Sequence, residues 1–173
     1  MARDPEFGCV DRWRTAIHEA GHAVMAHLLG MVPSHLVIHG DGEEGAGSCH
    51  TQDFLPRESA ARDLEDRVDV ALAGLAAEVI AAGEGAWDED SRDLDRAVAL
   101  LMGHVEDCEG VVRELEASRR RTTRILGEHW ELVERLAAAL ESAGRLGREE
   151  ILEILEDREP VAVGCGPESG EVP

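Results

Sequence analysis

His18 and His22 stand one helical turn apart with Glu19 beside the first of them, in the run His18-Glu19-Ala20-Gly21-His22. At about 100° per residue the two imidazoles project from one face of a helix, so both can reach a single tetrahedral metal ion. Glu19 falls on the flank between them, beside the metal rather than on it. A carboxylate there can take a proton from a metal-activated water and deliver it to a leaving amine. HExxH in this setting is the pattern of a zinc hydrolase whose two ligands and general base come as one unit.

The surrounding residues supply the helix. Trp13, Ile17, Val24 and Leu28 recur at helical spacing as an apolar stripe, with the two histidines on a neighbouring face. Gly21 costs about 1 kcal/mol in a helix interior relative to alanine. With Ala20 and Ala23 it keeps the helix thin enough for another backbone to approach. The plainer alternative is a pair of histidines that merely cap a core.

A catalytic zinc keeps three protein ligands and an open position, so a third donor must come from elsewhere. On the residues alone, Asp93 and Glu78 are the leading candidates. His50 and His104 are weaker candidates for stabilising an oxyanion. His27, His35, His39 and His129 are read as structural. The sequence has no tyrosine, which excludes a tyrosine oxyanion clamp.

Hydrophobic periodicity outlines the elements that must position these groups. A first helix is expected from Val10 to Leu29, ending at Gly30 with Pro33 beyond it. Two short extended segments, Leu36 to His39 and Ser48 to Asp53, flank a glycine-rich stretch and predict a β-hairpin. Either its edge strand receives an extended peptide beside the zinc helix, or the hairpin is a purely structural flap. A second helix from Arg57 to Ala82 carries Leu64, Val68, Leu72, Leu75 and Val79. Its small residues predict close packing against a partner helix. A third helix begins near Ser91 and carries Asp93 in its first turn. A long one from Gly110 to Ser142 has Gly127 as a possible bend, and a short one covers Arg148 to Asp157. The fold class expected is mainly α: a helical domain of about five helices with a small β-hairpin after the HEAGH helix.

Residues 1–7, MARDPEF, read like translated cloning sites and are set aside. Residues 8–158 form the expected domain and residues 159–173, which lack periodicity, a mobile tail. The 173 residues are 43% apolar, enough for one core. The net charge of −20 comes from 37 acidic against 17 basic residues, all arginine, so nucleic acid is not an expected partner. Arg119, Arg120 and Arg121, the one basic cluster, read as a solvated helix face. Without lysine the sequence contains no GxxxxGK[ST] loop, so it supplies no ATP-driven unfolding of that kind. Cys9, Cys49, Cys108 and Cys165 are scattered, with no CxxC pair, and read as reduced thiols. No apolar run approaches a membrane span and no signal peptide opens the chain, so no membrane association and a cytoplasmic location are expected.

Several segments in order resemble the peptidase domain of FtsH-type ATP-dependent zinc metalloproteases: HEAGHA, GAGSCHTQDFLPRE, LAGLAAEVI, GAWDEDSRDLDRA and the closing ILGEHWELVERLAAALESAGRLGREEILEIL. The family carries HEAGHA, a GYTQFLPEE-like strand, a GGRAAEEL helix and a GAxNDLxxAT helix. The likeness covers roughly residues 12 to 155. It implies that the third ligand is Asp93, and that Glu78 is a carboxylate behind the ligands or an alternative ligand. Arg92 stands where the family has asparagine, Leu75 where it has arginine, and the insertion WDEDS precedes the aspartate. What the resemblance implies is a stand-alone peptidase domain without the ATPase module. It would be a zinc metalloendopeptidase that hydrolyses unfolded or small polypeptides, with Zn2+ as cofactor and a homo-oligomer as a further possibility. The alternative is a catalytically silent scaffold that keeps the metal for stability or partner binding.

Overall fold

A computed structural model describes residues 5–38, 47–52, 60–83 and 91–156. In chain order the elements are α1 (Pro5–Leu28), β1 (Val32–Ile38), β2 (Gly47–Gln52), α2 (Ala60–Ala82), α3 (Arg92–Met102), α4 (Cys108–Glu128), α5 (Trp130–Ala143), β3 (Arg145–Gly147) and α6 (Arg148–Glu156). The fold is mainly α with a small antiparallel sheet, as the periodicity predicts.

α2 is the central element, and each of its faces has a separate core. Toward α1 it presents Ala73, Ala76 and Ala77, which join Ala16, Ile17, Ala20, Val24, Leu36, Leu136, Leu140 and Ile151 in the larger core. Its other face, Val68, Ala71, Leu72 and Leu75, packs with Ala97 and Leu101 of α3 and Val111 of α4. Alanines on both sides of the α1–α2 contact let the helices approach closely. A Cβ on Gly21 would fall 2.7 Å from the Ala73 carbonyl oxygen and 2.7 Å from the Ala77 methyl. The small residues of both motifs are therefore a packing requirement, and they bring the HEAGH face onto α2.

The sheet order is β2-β1-β3, with β1 antiparallel to both neighbours. The buried Leu36 pairs with Cys49 on one side and Leu146 on the other, which pins the sheet to the core. The register shifts between Pro33 and His35, because proline has no N–H to give the ladder. β3 is a strand the sequence reading lacks. Gly144 ends α5 at φ 74, a left-handed conformation suited to glycine, and turns the chain so that Arg145–Gly147 lies beside β1.

Other boundaries also differ from expectation. α1 begins at Pro5, inside the segment set aside as cloning-derived, and its last residue is Leu28. The long helix expected from Gly110 to Ser142 is two, interrupted at His129, whose φ of −120° and ψ of 26° leave the helical region. That interruption raises the helix count among the described residues from five to six. It lies two residues beyond Gly127. Arg12 reaches from α1 to the end of α5, its Nε and Nη2 donating to the Glu141 carbonyl at 3.0 and 2.9 Å.

The arginine cluster is not uniformly solvated. Arg121 turns inward and donates to buried Asp69 through Nε at 2.6 Å and Nη2 at 2.7 Å, and the Ser118 hydroxyl also donates to Asp69. A carboxylate buried on α2 needs such partners, which is why the third arginine leaves the surface. No described helix is long and apolar enough to cross a membrane.

Candidate metal centre

The site lies where α1, α2 and α3 meet. His18 and His22 are presented by the α1 face that rests on α2, as the helical spacing predicts. Ser91 caps α3, its hydroxyl accepting from the Asp93 N–H at 3.2 Å, and this fixes Asp93 in the first turn. His18 Nε2 and Asp93 Oδ2 are 2.8 Å apart, His22 Nε2 and His18 Nε2 are 3.1 Å apart, and His22 Nε2 and Asp93 Oδ2 are 3.2 Å apart. Among the described residues these three form the one group whose ligand atoms lie close enough together that they could hold a metal ion.

The donor chemistry of this triangle fits a cation. His22 Nδ1 lies 2.7 Å from the Val70 carbonyl, which can only accept, so Nδ1 carries the hydrogen. His18 Nδ1 lies 2.7 Å from Glu78 Oε1 and donates to that carboxylate. With both Nδ1 atoms donating, each neutral ring turns an Nε2 lone pair inward, toward a carboxylate oxygen. Three electron-rich atoms meeting at one point repel one another unless something positive lies among them. Zinc–nitrogen bonds of about 2.0–2.1 Å imply a tetrahedral edge of about 3.3 Å, so the observed triangle needs to open by only a few tenths of an ångström.

Without a metal, a proton takes part of that role. Burial opposes a charged His18, yet its hydrogen bonds to Asp93 and Glu78 and the charges of Glu19 and Asp93 outweigh burial and push it up to about 10. Burial likewise opposes a charged Asp93, but the hydrogen bonds and charges of His18 and His22 hold it well below the usual carboxylate range. Glu78 is also lowered: its burial is outweighed by His18 and by Arg14, whose guanidinium grips Oε2. A proton on His18 Nε2 satisfies its contact with Asp93, whereas a divalent cation satisfies all three corners.

Glu19 is buried, at 6% exposure, and its charge is felt at both His18 and Cys49. Cys49, on β2, is a free thiol that burial, with the charges of Glu19 and Asp93, pushes far above its ordinary range. In the metal-free chain this favours the neutral thiol.

Glu78 lies behind His18 rather than at the triangle. His104 lies just past the end of α3 opposite Asp93, with about 14 Å of helix between Asp93 and Met102, and its Nδ1 donates to the Leu100 carbonyl at 3.0 Å. That separation rules out the oxyanion role considered for it. The His50 side chain and the whole of His39 lie outside the described residues. His129 is the interruption between α4 and α5.

The sequence reading missed Gly74. A Cβ at this position would stand 2.5 Å from His18 Nε2 and 2.6 Å from His22 Nε2, so the hydrogen side chain leaves the volume that both imidazoles occupy. The one available signal was a glycine inside the helical run LAGLAAE, four residues before Glu78. The Val70 carbonyl, being backbone, leaves no signal in residue type.

No protein-family model matches the chain. Two curated proteins are similar to it. The ATP-dependent zinc metalloprotease FtsH 3 of Sphaerobacter thermophilus is 36% identical over 97 residues, covering 55% of this chain and 20% of its own length. The ATP-dependent zinc metalloprotease FtsH 1 of Symbiobacterium thermophilum is 35% identical over 175 residues, covering 91% of this chain and 28% of its own length. The relationship to the FtsH proteins is a distant one. The chain spans between a fifth and three tenths of the length of these relatives. The names of these two proteins place the likeness with zinc metalloproteases, at the level of a distant relationship.

Proposed function

We propose that this chain is a zinc-dependent endopeptidase that hydrolyses peptide bonds in unfolded or small polypeptides, with His18, His22 and Asp93 as metal ligands and Glu19 as general base. The observation that carries this reading is the convergence of three acceptor atoms, two of them on imidazole rings already tied off at Nδ1 and the third on Asp93, with a buried carboxylate one residue from the first ligand. Bound zinc supplies Lewis acidity toward the scissile carbonyl and makes a water molecule acidic enough to react near neutral pH.

The protein's own groups do the rest. Glu19 takes the proton of the attacking water and returns it to the departing amine nitrogen, a transfer that works best when the carboxylate is shielded from bulk solvent. Glu78 and the Val70 carbonyl hold the two imidazoles in the required tautomer, and Arg14 steadies Glu78. β2 lies at an edge of the described sheet and carries Cys49, whose thiol feels Glu19 and Asp93. An extended substrate pairing with that edge would pass the metal with its backbone held straight.

Digestion of unstructured casein tests this. Zinc-loaded protein should cleave it, a chelator should stop cleavage, and Glu19→Gln should keep zinc while cleaving nothing. Zinc bound at one equivalent with no cleavage of any unfolded substrate would make the chain a metal-holding scaffold instead.

A further inference from the structure

We infer that Arg14 is a positioning residue of the metal centre, acting only through Glu78 on His18, so that a side chain at the surface helps set how firmly the site keeps its ion; the inference rests on the ligand assignment above. Arg14 lies outside the HExxH run, one helical turn before His18 on α1, and the two side chains leave the same face of the helix. Both reach Glu78 on α2. Arg14 Nε donates to Glu78 Oε2 at 2.5 Å and Nη2 closes on the same oxygen, while His18 Nδ1 donates to Oε1 at 2.7 Å.

The two carboxylate oxygens therefore have separate tasks. Held by one imidazole alone, a glutamate can turn about its last side-chain bond and offer either oxygen to the ring or to water. The guanidinium takes Oε2 through two N–H groups, which fixes the plane of the carboxylate and leaves Oε1 for the ring. The side chains of His18 and Glu78 are 19% and 18% exposed and that of Arg14 is 62% exposed, so the contacts run from the ligand outward to solvent. Asp93 and His22 have no such link to Arg14: Asp93 meets the two imidazoles, and His22 is tied to the Val70 carbonyl.

Arg14 acts on a bound dication in two opposite ways. Its charge repels the ion, whereas its grip on Glu78 keeps the Nε2 lone pair of His18 aimed at it. The guanidinium reaches the triangle only across a carboxylate and an imidazole ring, and at physiological salt, with a Debye length of about 8 Å, a water-exposed charge at that remove is largely screened. The grip acts through direct hydrogen bonds and prevails. With one partner mostly in solvent, its effect on zinc affinity is about two- to fivefold.

Zinc dissociation constants of the full chain and its variants, measured against a chromophoric chelator, test the inference without reference to turnover. Arg14→Gln should weaken zinc by about two- to fivefold, and Arg14→Lys, which keeps a cation able to meet Oε2, should recover part of that loss. In a Glu78→Gln background, Arg14→Gln should change nothing more, because the link to His18 is already cut. Proton NMR of the zinc-loaded protein supplies a second readout: the downfield Nδ1–H resonance of His18 should exchange with water faster in Arg14→Gln than in wild type. Unchanged or tighter zinc binding by Arg14→Gln, a loss that Arg14→Lys fails to reduce or that persists in full in the Glu78→Gln background, or an unaltered Nδ1–H exchange rate would overturn the role of Arg14 and leave the ligand assignment standing. Failure of the wild-type chain to bind zinc would overturn both.

Discussion

The Val70 carbonyl accepts a hydrogen bond from His22 Nδ1 at 2.7 Å across the α1–α2 contact, and this single interaction decides which nitrogen of His22 faces His18 and Asp93. An α-helical carbonyl normally serves the N–H one turn on; here it also serves a side chain from the neighbouring helix. Such a contact needs the helices close together, and Gly21 with the alanines of α2 provides that closeness. The packing of the core and the orientation of a ligand are one and the same feature.

Gly74→Ala should abolish metal binding without unfolding the protein. Its methyl would stand within 2.6 Å of both Nε2 atoms, so the rings must turn away from each other, while the rest of α2 gains a residue of better helix propensity. Zinc content measured after gel filtration should fall from one equivalent to near zero, with the far-ultraviolet circular dichroism unchanged. Full zinc occupancy in this variant would show that the metal lies elsewhere.

Two substitutions separate the ligand from the group behind it. Glu78→Ala removes the partner of His18 Nδ1 and should weaken zinc affinity by about 10- to 100-fold. Asp93→Ala removes a corner of the triangle and should weaken it further. Competition with a chromophoric chelator gives both constants, and the reverse order would exchange the roles of the two carboxylates.

In the metal-free chain, His18 stands at about 10 against an ordinary 6.5. A raised folded-state value stabilises the fold fully below pH 6.5, and that contribution disappears as pH rises from 6.5 to 10. Asp93 and Glu78 are lowered, so their contributions hold above the ordinary carboxylate range and disappear as pH falls through it. Metal-free protein should therefore melt at its highest temperature between about pH 5 and 6.5 and lose stability toward pH 10. Zinc must displace the His18 proton, so the rise in Tm on adding zinc should grow over the same interval. Differential scanning fluorimetry with and without zinc reads both trends, and a zinc effect that shrinks from pH 6.5 to 10 would contradict them.

The Asp69–Arg121 pair predicts a purely structural effect. Arg121→Met leaves a carboxylate of 2% side-chain exposure with Ser118 as its remaining hydrogen-bond donor here, and should cost about 3 kcal/mol. Asp69→Ala should cost less, because Arg121, a third exposed, can turn to solvent. Urea midpoints of the two variants give the comparison, and equal costs would mean that the buried carboxylate needs no counter-charge.

Much of this arrangement was legible in the chain. The HEAGH turn, the α2 periodicity and the hairpin follow from side-chain type at fixed spacing, and Asp93 was reached as a ligand candidate from its place near the start of a helix and from the FtsH resemblance. What stayed hidden acts through backbone or through missing volume: the Val70 carbonyl, the space left by Gly74 and the three-residue β3. The interruption at His129 was hidden for another reason, since Leu126, Val133, Leu136 and Leu140 keep a helical stripe that runs on past it. Arg121 has the same residue type as its exposed neighbours, so only the buried Asp69 opposite distinguishes it.

X-ray absorption at the zinc edge of the purified, metal-loaded chain tests the central claim most directly. Two imidazoles and one carboxylate should give a first shell of nitrogen and oxygen only, at about 2.0–2.1 Å, with the outer-shell scattering of two histidine rings. A sulfur shell at about 2.3 Å, or a zinc signal that persists unchanged after replacing both His18 and His22 by alanine, would contradict it.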